Sequence, residues 1–438
     1  MKLLVLNFSL FVFHFSLSAQ SWSAMGTGVN GQISAITIYQ DKIIAAGAFD
    51  TAGGSLVNYV AEWNGTTWLP LGTGMNNSVY ALTVYNGNLI AGGYFTMAGE
   101  NAASHIAQWD GSNWTGIGGG TNLWGSVQAL AVYNGNLIAG GIFDSAGGNP
   151  VNSIAQWDGT SWSALGLGVN NYIQALTIYN GDLIAAGYFT CAGGSAAHSI
   201  ARWDNTSWSA LGRGLNAGAF ALAVYHDNLY AGGCFTTAGG IGAKHIAEWN
   251  GTSWLALGSG TNNYVNALTI YNGNLYAGGC FTMAGDTPTN RLAQWNGMAW
   301  SALENGIKGD SSGVYALSTF YGTLYAGGLI DTAGEMITNN IAQWSEPLGV
   351  NEASASNEDI KVFPNPNNGL FQLRIKNYEL GIENTVEIYN MSGEEVATSQ
   401  WPSANSQMQI DLSGQAAGVY FVKVLCDKNM QVVKVVKQ

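Results

Sequence analysis

A unit of about 46 residues recurs seven times along this chain. Each unit has an Ala in a run such as ALTVY, a Gly twelve residues later and an apolar residue thirteen residues after that. These intervals are identical in all seven units, whose Ala residues are Ala35, Ala81, Ala129, Ala175, Ala221, Ala267 and Ala316. A constant internal period of this size indicates repeats that share one local structure and pack against their neighbours.

Within one unit, the residue pattern predicts four antiparallel strands. SVYALTVY is the first strand and NLIAGGYF the second, joined through Asn86-Gly87, a hairpin signal because both positions tolerate positive φ. HIAQW is the third strand, and the turn Asp110-Gly111 leads into NWTGIG, the fourth. Four such strands per repeat are typical of one blade of a β-propeller. We therefore predict an all-β chain in which residues 20–347 form a seven-bladed β-propeller.

The tryptophans predict how such a ring would close. The third-strand tryptophans are Trp63, Trp109, Trp157, Trp203, Trp249, Trp295 and Trp344, and the fourth-strand tryptophans are Trp22, Trp68, Trp114, Trp162, Trp208, Trp254 and Trp300. Trp22 precedes the first complete unit, and no fourth strand follows Trp344. The segment SWSAMG around Trp22 is therefore expected to complete the last blade as its outer strand, which would leave no half-blade with an open edge.

Two features of the unit resemble kelch-type propeller repeats. LYAGGCF has Gly-Gly at the end of the second strand, and GTSWLALG has a Trp that opens the fourth. Kelch repeats have a period of about 50 residues, close to the one here. The Arg that kelch units usually carry in the first strand is absent. The resemblance therefore implies the propeller fold and no particular chemistry.

The N-terminal segment is typical of a secretory signal peptide. Lys2 is followed by an apolar run from Leu3 to Phe15 and then by small residues, which predicts residues 1–19 as the signal and cleavage between Ala19 and Gln20. The alternative is a buried N-terminal strand. The run is too short to span a bilayer, and no later stretch has about 18 consecutive apolar residues, so no transmembrane segment is expected.

The residue pattern changes after Trp344. Residues 348–358 are polar and are interpreted as a linker, whereas residues 359–438 alternate apolar strands with Gly turns and predict a small β-sandwich. Through FPNPNNG, EIYNMSG and AGVYFVKV this segment resembles the type A C-terminal sorting domain of the Por (type IX) secretion system. The resemblance assigns the sorting signal to Pro364, Asn365, Pro366, Gly369, Tyr389, Gly393, Gly418, Tyr420 and Lys434.

This resemblance implies Sec export into the periplasm, passage through the type IX secretion machinery, and release outside the cell or anchoring at the outer-membrane surface. An immunoglobulin-like domain without a sorting role is the alternative.

Composition excludes several classes of protein. With 60 Gly, 12% aromatic residues and only 9% charged residues, the chain lacks the low hydrophobicity of disordered proteins. A formal net charge of −13 argues against binding of nucleic acid, whose phosphates need Lys and Arg. Cys234 and Cys280 occupy the same position in successive repeats. We interpret them as small apolar fillers rather than as a disulfide, because equivalent positions of adjacent blades are expected to be too far apart.

Residue patterns of enzymes are not evident. The chain has no H-E-x-x-H motif and no Walker loop, and we predict no catalytic residues, no cofactor and no metal site. His105 and His245 occupy the same repeat position and are expected to be strand-entry residues rather than ligands. Asp110 and Asp158 recur as turn formers rather than as catalytic carboxylates.

Function is expected where the repeats differ. Only the connection from the fourth strand to the next first strand varies in length, and one insertion contains Trp124 while another contains Lys308 and Asp310. Tyr172 and Tyr264 occupy one aligned position in connections without insertions. Exposed aromatic rings there could stack on sugars or form a protein-binding hot spot. The alternative for the two tyrosines is packing between blades.

These residues favour a secreted or cell-surface binding or adhesion protein without catalytic activity, whose candidate ligand-binding residues are Trp124, Tyr172 and Tyr264. The ligand would be a glycan or a protein. A secreted hydrolase or lyase acting on carbohydrate is the alternative, since propellers also carry enzymes, and a purely structural role in a surface layer is a third.

Overall fold

The structure is a computed structural model. It describes residues 21–122, 125–309, 313–345, 360–363, 367–375, 385–390, 395–400, 407–416, 418–426 and 429–437. The chain divides into two units, Met1–Glu346 and Pro347–Gln438, which are described separately below. In both, the described residues form β-strands and turns and include no helix.

The described residues of the first unit contain seven four-stranded antiparallel sheets, numbered here as sheets 1 to 7 in the order of their first strands. The first strands are Gln32–Tyr39, Val79–Tyr85, Ser126–Tyr133, Ile173–Tyr179, Ala219–Tyr225, Val265–Tyr271 and Gly313–Phe320. The second strands are Lys42–Ala48, Asn88–Gly93, Asn136–Ile142, Asp182–Gly187, Asn228–Gly233, Asn274–Gly279 and Thr323–Leu329. The third strands are Val60–Trp63, Ile106–Trp109, Ile154–Trp157, Ile200–Trp203, Ile246–Trp249, Leu292–Trp295 and Ile341–Ser345.

The fourth strands of sheets 1 to 6 are short and begin at tryptophan: Trp68–Pro70, Trp114–Gly116, Trp162–Ala164, Trp208–Ala210, Trp254–Ala256 and Trp300–Ala302. Sheet 7 takes its fourth strand from the other end of the unit. Ser21–Ala24 pairs antiparallel with Ile341–Ser345, which places Trp22 opposite Trp344 with ring centroids 5.3 Å apart. The edge of the last sheet is thus paired by the first described residues of the chain.

The turns between strands explain why the sheets form locally. Asn86 and Gly87 have φ of 48° and 81°, the left-handed pair that a tight hairpin needs. The first and second strands pair with one β-bulge, which in sheet 2 falls between Val79 and Ala81 and leaves Tyr80 without a partner in the ladder. Gly92 in the second strand of sheet 2 leaves no room for a side chain. A Cβ atom there would lie 2.5 Å from a methyl carbon of Val127 in the next sheet.

A short hairpin between the second and third strands was not anticipated from the four-strand pattern. It recurs in every sheet, as Thr51–Ala52 with Ser55–Leu56, Met97–Ala98 with Asn101–Ala102, Ser145–Ala146 with Asn149–Pro150, Cys191–Ala192 with Ser195–Ala196, Thr237–Ala238 with Ile241–Gly242, Met283–Ala284 with Thr287–Pro288, and Thr332–Ala333 with Met336–Ile337. The short strand Ile307–Lys308 pairs with the last of these hairpins. We call this end of the sheets the loop end, and the end with the two tight turns the turn end.

The core of the first unit lies between neighbouring sheets rather than within one. A typical buried cluster combines Ile184 and Ile200 of sheet 4 with Leu229 and Phe235 of sheet 5. Sheets 7 and 1 share a cluster of the same kind, in which Ala316 and Ile341 pack with Ile33 and Ile43. The first strands of successive sheets are in contact, and so are those of sheets 7 and 1. Burial of apolar surface at these junctions is what holds the sheets together.

The second unit contains two sheets. Ile360–Phe363, Leu370–Ile375 and Gln407–Asp411 form one, and Thr385–Asn390, Glu395–Gln400, Gly418–Cys426 and Asn429–Lys437 form the other. Phe371 and Leu373 of the first sheet share a buried cluster with Val386, Val422 and Val435 of the second. Apolar residues that alternate along these strands therefore face one common core, as in a β-sandwich.

Candidate ligand-binding surface

The loop end is assembled by asparagines that join the fourth-to-first connection to the hairpin of the next sheet. The side-chain oxygen of Asn76 accepts hydrogen bonds from the amides of Thr96 and Met97, and its amide group donates to the Thr96 hydroxyl. The same bonds to a hairpin recur at Asn30, Asn170, Asn216 and Asn262. The two kinds of loop thus lie side by side, as expected from the strand order.

The residue just before each third strand has a left-handed backbone, with φ between 60° and 71°, although none is glycine: Tyr59, His105, Ser153, Ser199, His245, Arg291 and Asn340. Two backbone hydrogen bonds hold this conformation. In sheet 5 the amide of His245 donates to Phe235 O, and the carbonyl of His245 accepts from Gly233 N. His105 and His245 are therefore strand-entry residues, as the sequence predicted.

Three aromatic side chains from successive sheets meet at the loop end. The ring of Phe220 in sheet 5 lies 5.7 Å from that of Tyr188 in sheet 4 and 6.3 Å, edge-on, from that of Tyr264 in sheet 6. The ring of His245 packs edge-on against Tyr264 at 5.6 Å. Tyr188 and Tyr264 remain 42% and 47% exposed. We call these four residues the aromatic cluster; it is a partly exposed apolar surface with polar edges.

Of the candidate binding residues predicted from the sequence, the structure describes Tyr172 and Tyr264, and only Tyr264 belongs to the aromatic cluster. Tyr172 is 42% exposed in sheet 4, where its carbonyl accepts from the amide of Tyr188. Both tyrosines are thus partly exposed, and the Tyr264 ring also packs against side chains of sheet 5. Trp124 and Asp310 lie outside the described residues.

Sequence reasoning did not select Tyr188, Phe220 or His245 as members of a site. Tyr188 aligns with Tyr94, Ile142, Cys234 and Cys280, a mixture of residue types that does not indicate a binding role. Phe220 occupies the bulge position, where the other repeats have Ser34, Tyr80, Gln128, Gln174, Asn266 and Tyr315. Its departure from the polar residues at most of these positions is the signal that could have singled it out.

Burial sets the protonation of the cluster. Burial, reinforced by nearby Cys234, raises the pKa of Tyr188 to about 12, so its hydroxyl remains a hydrogen-bond donor at neutral pH. Burial lowers the pKa of His245 below its usual value, and nearby Lys244 acts in the same direction. The imidazole is thereby favoured in its neutral form. Its Nδ1 atom is buried without a hydrogen-bond partner in the described part of the chain.

The described cysteines of the first unit, Cys191, Cys234 and Cys280, are free and half-buried. The Sγ atom of Cys234 lies 3.9 Å from the Tyr188 hydroxyl, and that of Cys280 lies 3.5 Å from the side-chain amide of Asn266. Cys234 and Cys280 pack beside Gly218 and Asn266, in agreement with their interpretation as small fillers.

Two clefts flank the hairpin of sheet 5. One, of about 570 Å³, is lined by Thr236, Lys244, His245 and Thr261 among others. The other, of about 290 Å³, is lined by His198, Arg213, Asn216, Thr237 and Gly240 among others. Both lie at the loop end beside the aromatic cluster, which supplies His245 to the larger cleft.

The acidic residues singled out by the sequence form turns at the other end of the sheets. The side-chain and backbone hydrogen bonds from Thr160 and Ser161 lower the pKa of Asp158 to about 2, with the Thr160 hydroxyl as the largest cause. Asp110 accepts from the amides of Ser112 and Asn113 in the same way. Within the residues that the structure describes, no three His, Cys, Asp or Glu side chains are grouped closely enough to hold a metal ion.

In the second unit, the structure describes part of the sorting-signal residues. Gly369 has φ of 103°, and Tyr420 is buried with its hydroxyl donating to Ala416 O. The Tyr389 hydroxyl donates to Glu387. Gly418 begins a strand, and the backbone of Lys434 pairs with Phe421. Pro364, Asn365, Pro366 and Gly393 lie outside the described residues, as do residues 1–20, with Ala19 and Gln20, and the expected linker 348–358.

Among the described residues of this unit, Lys437 is a buried cation that sequence reasoning did not select. Its Nζ atom donates to the carbonyls of Leu412, Ser413 and Gln415. A buried ammonium group is stable only when its protons are bonded in this way. The last described strand is thus tied to the loop that follows Gln407–Asp411.

Comparisons with known proteins identify the second unit. The model of the secretion system C-terminal sorting domain family matches residues 361–438. No curated protein matches the chain. A solved structure from Bacteroides thetaiotaomicron, described as a structural genomics protein of unknown function, is 9% identical, with 75% of this chain and 72% of that chain covered and a TM-score of 0.37. No helix in the described residues has the length and hydrophobicity needed to cross a membrane.

Proposed function

We propose that sheets 1 to 7 are the blades of a closed seven-bladed β-propeller of kelch-like repeats that spans residues 20–347. Three observations support the ring. Ser21–Ala24 completes sheet 7, the buried cluster between sheets 7 and 1 resembles those between other neighbours, and the first strands contact one another in a cycle. In such a ring the loop end forms one continuous face, so residues from several sheets can contact one ligand.

We further propose that the protein is a binding or adhesion protein of the cell surface or the extracellular space, with a glycan or protein as its ligand. The observation that carries this proposal is the aromatic cluster, which brings Tyr188, Phe220 and Tyr264 of three sheets together while leaving the tyrosine rings partly exposed. Aromatic rings with one apolar face and one polar edge are favoured at binding surfaces. Tyr172 belongs to the same proposed face, and Trp124 remains a candidate from the sequence alone.

The sorting domain points to export by the type IX system and to interaction with its machinery. We propose that residues 1–19 are a signal peptide that directs Sec export, that cleavage follows Ala19, and that residues 348–358 link the propeller to a sorting domain at residues 359–438. The mature protein would then be released outside the cell or held at the outer-membrane surface.

Binding is tested by screening the secreted protein on glycan and host-protein arrays. Tyr264→Ala is expected to weaken retention of an identified ligand at least tenfold while the melting temperature stays near that of wild type, since the ring is half exposed. Trp124→Ala is expected to act in the same direction. The matched control is Tyr321→Ala, because Tyr321 is 81% exposed at the turn end of sheet 7.

Arrays that are blank for the wild type, or equal losses in the Tyr264 and Tyr321 variants, would contradict the proposal. The same protein is incubated with the polysaccharides that it retains. New reducing ends would support the alternative function, a carbohydrate-active hydrolase or lyase.

A further inference from the structure

The few basic side chains of the first unit are unevenly distributed. Between residues 21 and 345 the chain has six Lys and Arg residues: Lys42, Arg202, Arg213, Lys244, Arg291 and Lys308. Lys42 and Arg202 lie toward the turn end, where they form ion pairs with Glu62 and Asp182. The other four belong to loop-end segments of sheets 4 to 7.

The loop-end segments of sheets 4 and 5, together with the connection into sheet 6, contain no carboxylates, whereas the hairpin of sheet 6 holds Asp286. The segments 188–199, 211–220, 234–246 and 257–266 hold no Asp or Glu, although the chain as a whole has a formal net charge of −13. These same segments contain Arg213, Lys244 and His198. We call them together the basic sector. The acidic residues between them in sequence are Asp204 and Asp227, in turns at the turn end, and Glu248, in a third strand.

The two clefts described above lie within the basic sector, one on each side of the sheet 5 hairpin. Lys244 lines the larger cleft, and Arg213 lines the smaller one, where its guanidinium lies against Gly240. Both side chains are exposed, and neither forms an ion pair with another residue that the structure describes. Two available positive charges thus flank one hairpin, next to the aromatic cluster.

We propose that the basic sector binds an acidic polysaccharide, with its carboxylate or sulfate groups on Arg213 and Lys244. This proposal rests on the proposed binding function and names its ligand class. Guanidinium and ammonium groups make strong, charge-assisted hydrogen bonds to such anions. Tyr188 and Tyr264 offer partly exposed rings on which sugars can stack. The Thr236 hydroxyl lines the larger cleft and accepts from the Asn216 amide group, which leaves its own proton for donation to a sugar hydroxyl.

The spacing of the charges favours a polymer with repeated acidic groups over a single small anion. One charge lies in each cleft, and the hairpin Thr237–Ala238 with Ile241–Gly242 separates them. The acidic turns at the far end of the sheets contribute little repulsion, since salt screens charges beyond about 8 Å at physiological ionic strength.

The experiment measures affinity of the full secreted protein for immobilised polygalacturonate and dextran sulfate, with dextran and fully methyl-esterified pectin as neutral counterparts. We expect binding to the anionic polymers that weakens as sodium chloride is raised. The double variant R213Q/K244Q is expected to bind them at least tenfold more weakly. The matched control K42Q/R202Q removes the same number of charges at the turn end and is expected to stay within twofold of wild type.

Melting temperatures of all variants are compared first, and the single variants R213Q and K244Q replace the double variant if it unfolds. Anionic binding that resists salt, or that falls equally in both double variants, would overturn the proposal. So would displacement by poly-glutamate at lower concentration than by soluble polygalacturonate, which would indicate an acidic protein ligand. Binding to neutral polymers alone would contradict an acidic polysaccharide as the ligand but would still support the proposed binding function. Binding to no glycan and no protein would contradict the binding function itself.

Discussion

At the scale of the residue, the position before each third strand has a left-handed backbone but carries a side chain in all seven repeats, which costs conformational energy. Glycine adopts positive φ freely, and the chain has 60 glycines, yet none of the seven repeats uses one there. His245 at this position joins the aromatic cluster, and the guanidinium of Arg291 donates to the carbonyls of Ile307 and Gly309. The side chains themselves therefore contribute to how the loop end is built.

Glu304 is the reverse case, a non-glycine residue at a left-handed position that the other six repeats fill with glycine. It has φ of 42°, where the other repeats have glycines with φ between 52° and 60°: Gly26, Gly72, Gly118, Gly166, Gly212 and Gly258. A non-glycine residue in the left-handed region destabilises the folded chain by about 1–2 kcal/mol. Replacement by glycine relieves this strain, but the greater freedom of glycine in the unfolded chain cancels about 0.5–1 kcal/mol of the gain. Glu304→Gly is expected to raise the free energy of unfolding by about 0.5–1 kcal/mol, measured by denaturant titration.

The reciprocal control is Gly118→Ala. Gly118 has φ of 52°, and a Cβ there would collide with the ring of Trp157. This variant is expected to lose about 2 kcal/mol or more, because strain and overpacking add. A Glu304→Gly protein that is no more stable than wild type would show that the backbone at Glu304 is not strained.

At the scale of the element, the tryptophan of a fourth strand forms a hydrogen bond to the connection that leads into its own sheet. The indole nitrogen of Trp208 donates to Leu165 O at 2.8 Å, and Trp68, Trp114, Trp162, Trp254 and Trp300 make the equivalent bond. Trp22 is the exception, because its buried indole nitrogen has no hydrogen-bond partner among the described residues. The N-terminal strand is therefore paired through its backbone and ring but lacks this tie.

This difference predicts unequal effects of the same substitution. Trp208→Phe loses ring area and the indole hydrogen bond to Leu165 O, which still accepts from Gly168 N, whereas Trp22→Phe loses ring area and no hydrogen bond among the described residues. We expect Trp208→Phe to lower the free energy of unfolding by about 1 kcal/mol more than Trp22→Phe does, since one intramolecular hydrogen bond contributes about 0.5–1.5 kcal/mol net. Denaturant titration of both variants checks this. Equal losses would mean that the indole bond contributes no net stability.

Strand existence and order were predictable at this scale, and the short hairpins were not. Runs such as ALTVY and Asn-Gly turns specify pairing between residues close in sequence. The hairpin between the second and third strands has two residues per strand, too few for a periodic pattern, and it is held by contacts with the preceding connection such as those of Asn76. Its position therefore depends on a neighbouring repeat.

At the scale of the whole molecule, the N-terminal strand carries the proposed closure. Besides the pairing of Ser21–Ala24 with Ile341–Ser345, Val29 N donates to Asn339 O, and the side-chain amides of Asn339 and Asn340 donate to Thr27 O and Val29 O. Removing the first strand would leave the third strand of sheet 7 as an open edge and expose Trp344.

Truncation tests this closure. A chain that begins at Thr27 is expected to melt several degrees below one that begins at Gln20, because a buried tryptophan and a full strand pairing are lost together. Scanning calorimetry of both chains measures the difference. Trp22→Phe in the chain that begins at Gln20 is the control, because it removes the indole ring and keeps the strand pairing. Its melting temperature therefore shows how much of the difference comes from the ring alone. A truncated chain that melts like the longer one would contradict closure by this strand.

The repeat boundaries, the four strands of each sheet and the place of Trp22 in a fourth strand could all be predicted from the residues. The reason is that strand pairing follows short-range periodicity and turn chemistry. The resemblance of residues 359–438 to a sorting domain likewise rested on short motifs, and a family match covers residues 361–438. The contacts among Tyr188, Phe220 and Tyr264 became visible only in the folded chain, as did the placement of Arg213 and Lys244 on either side of one hairpin. These contacts join different sheets, and packing between sheets leaves no period in the sequence from which it could be predicted.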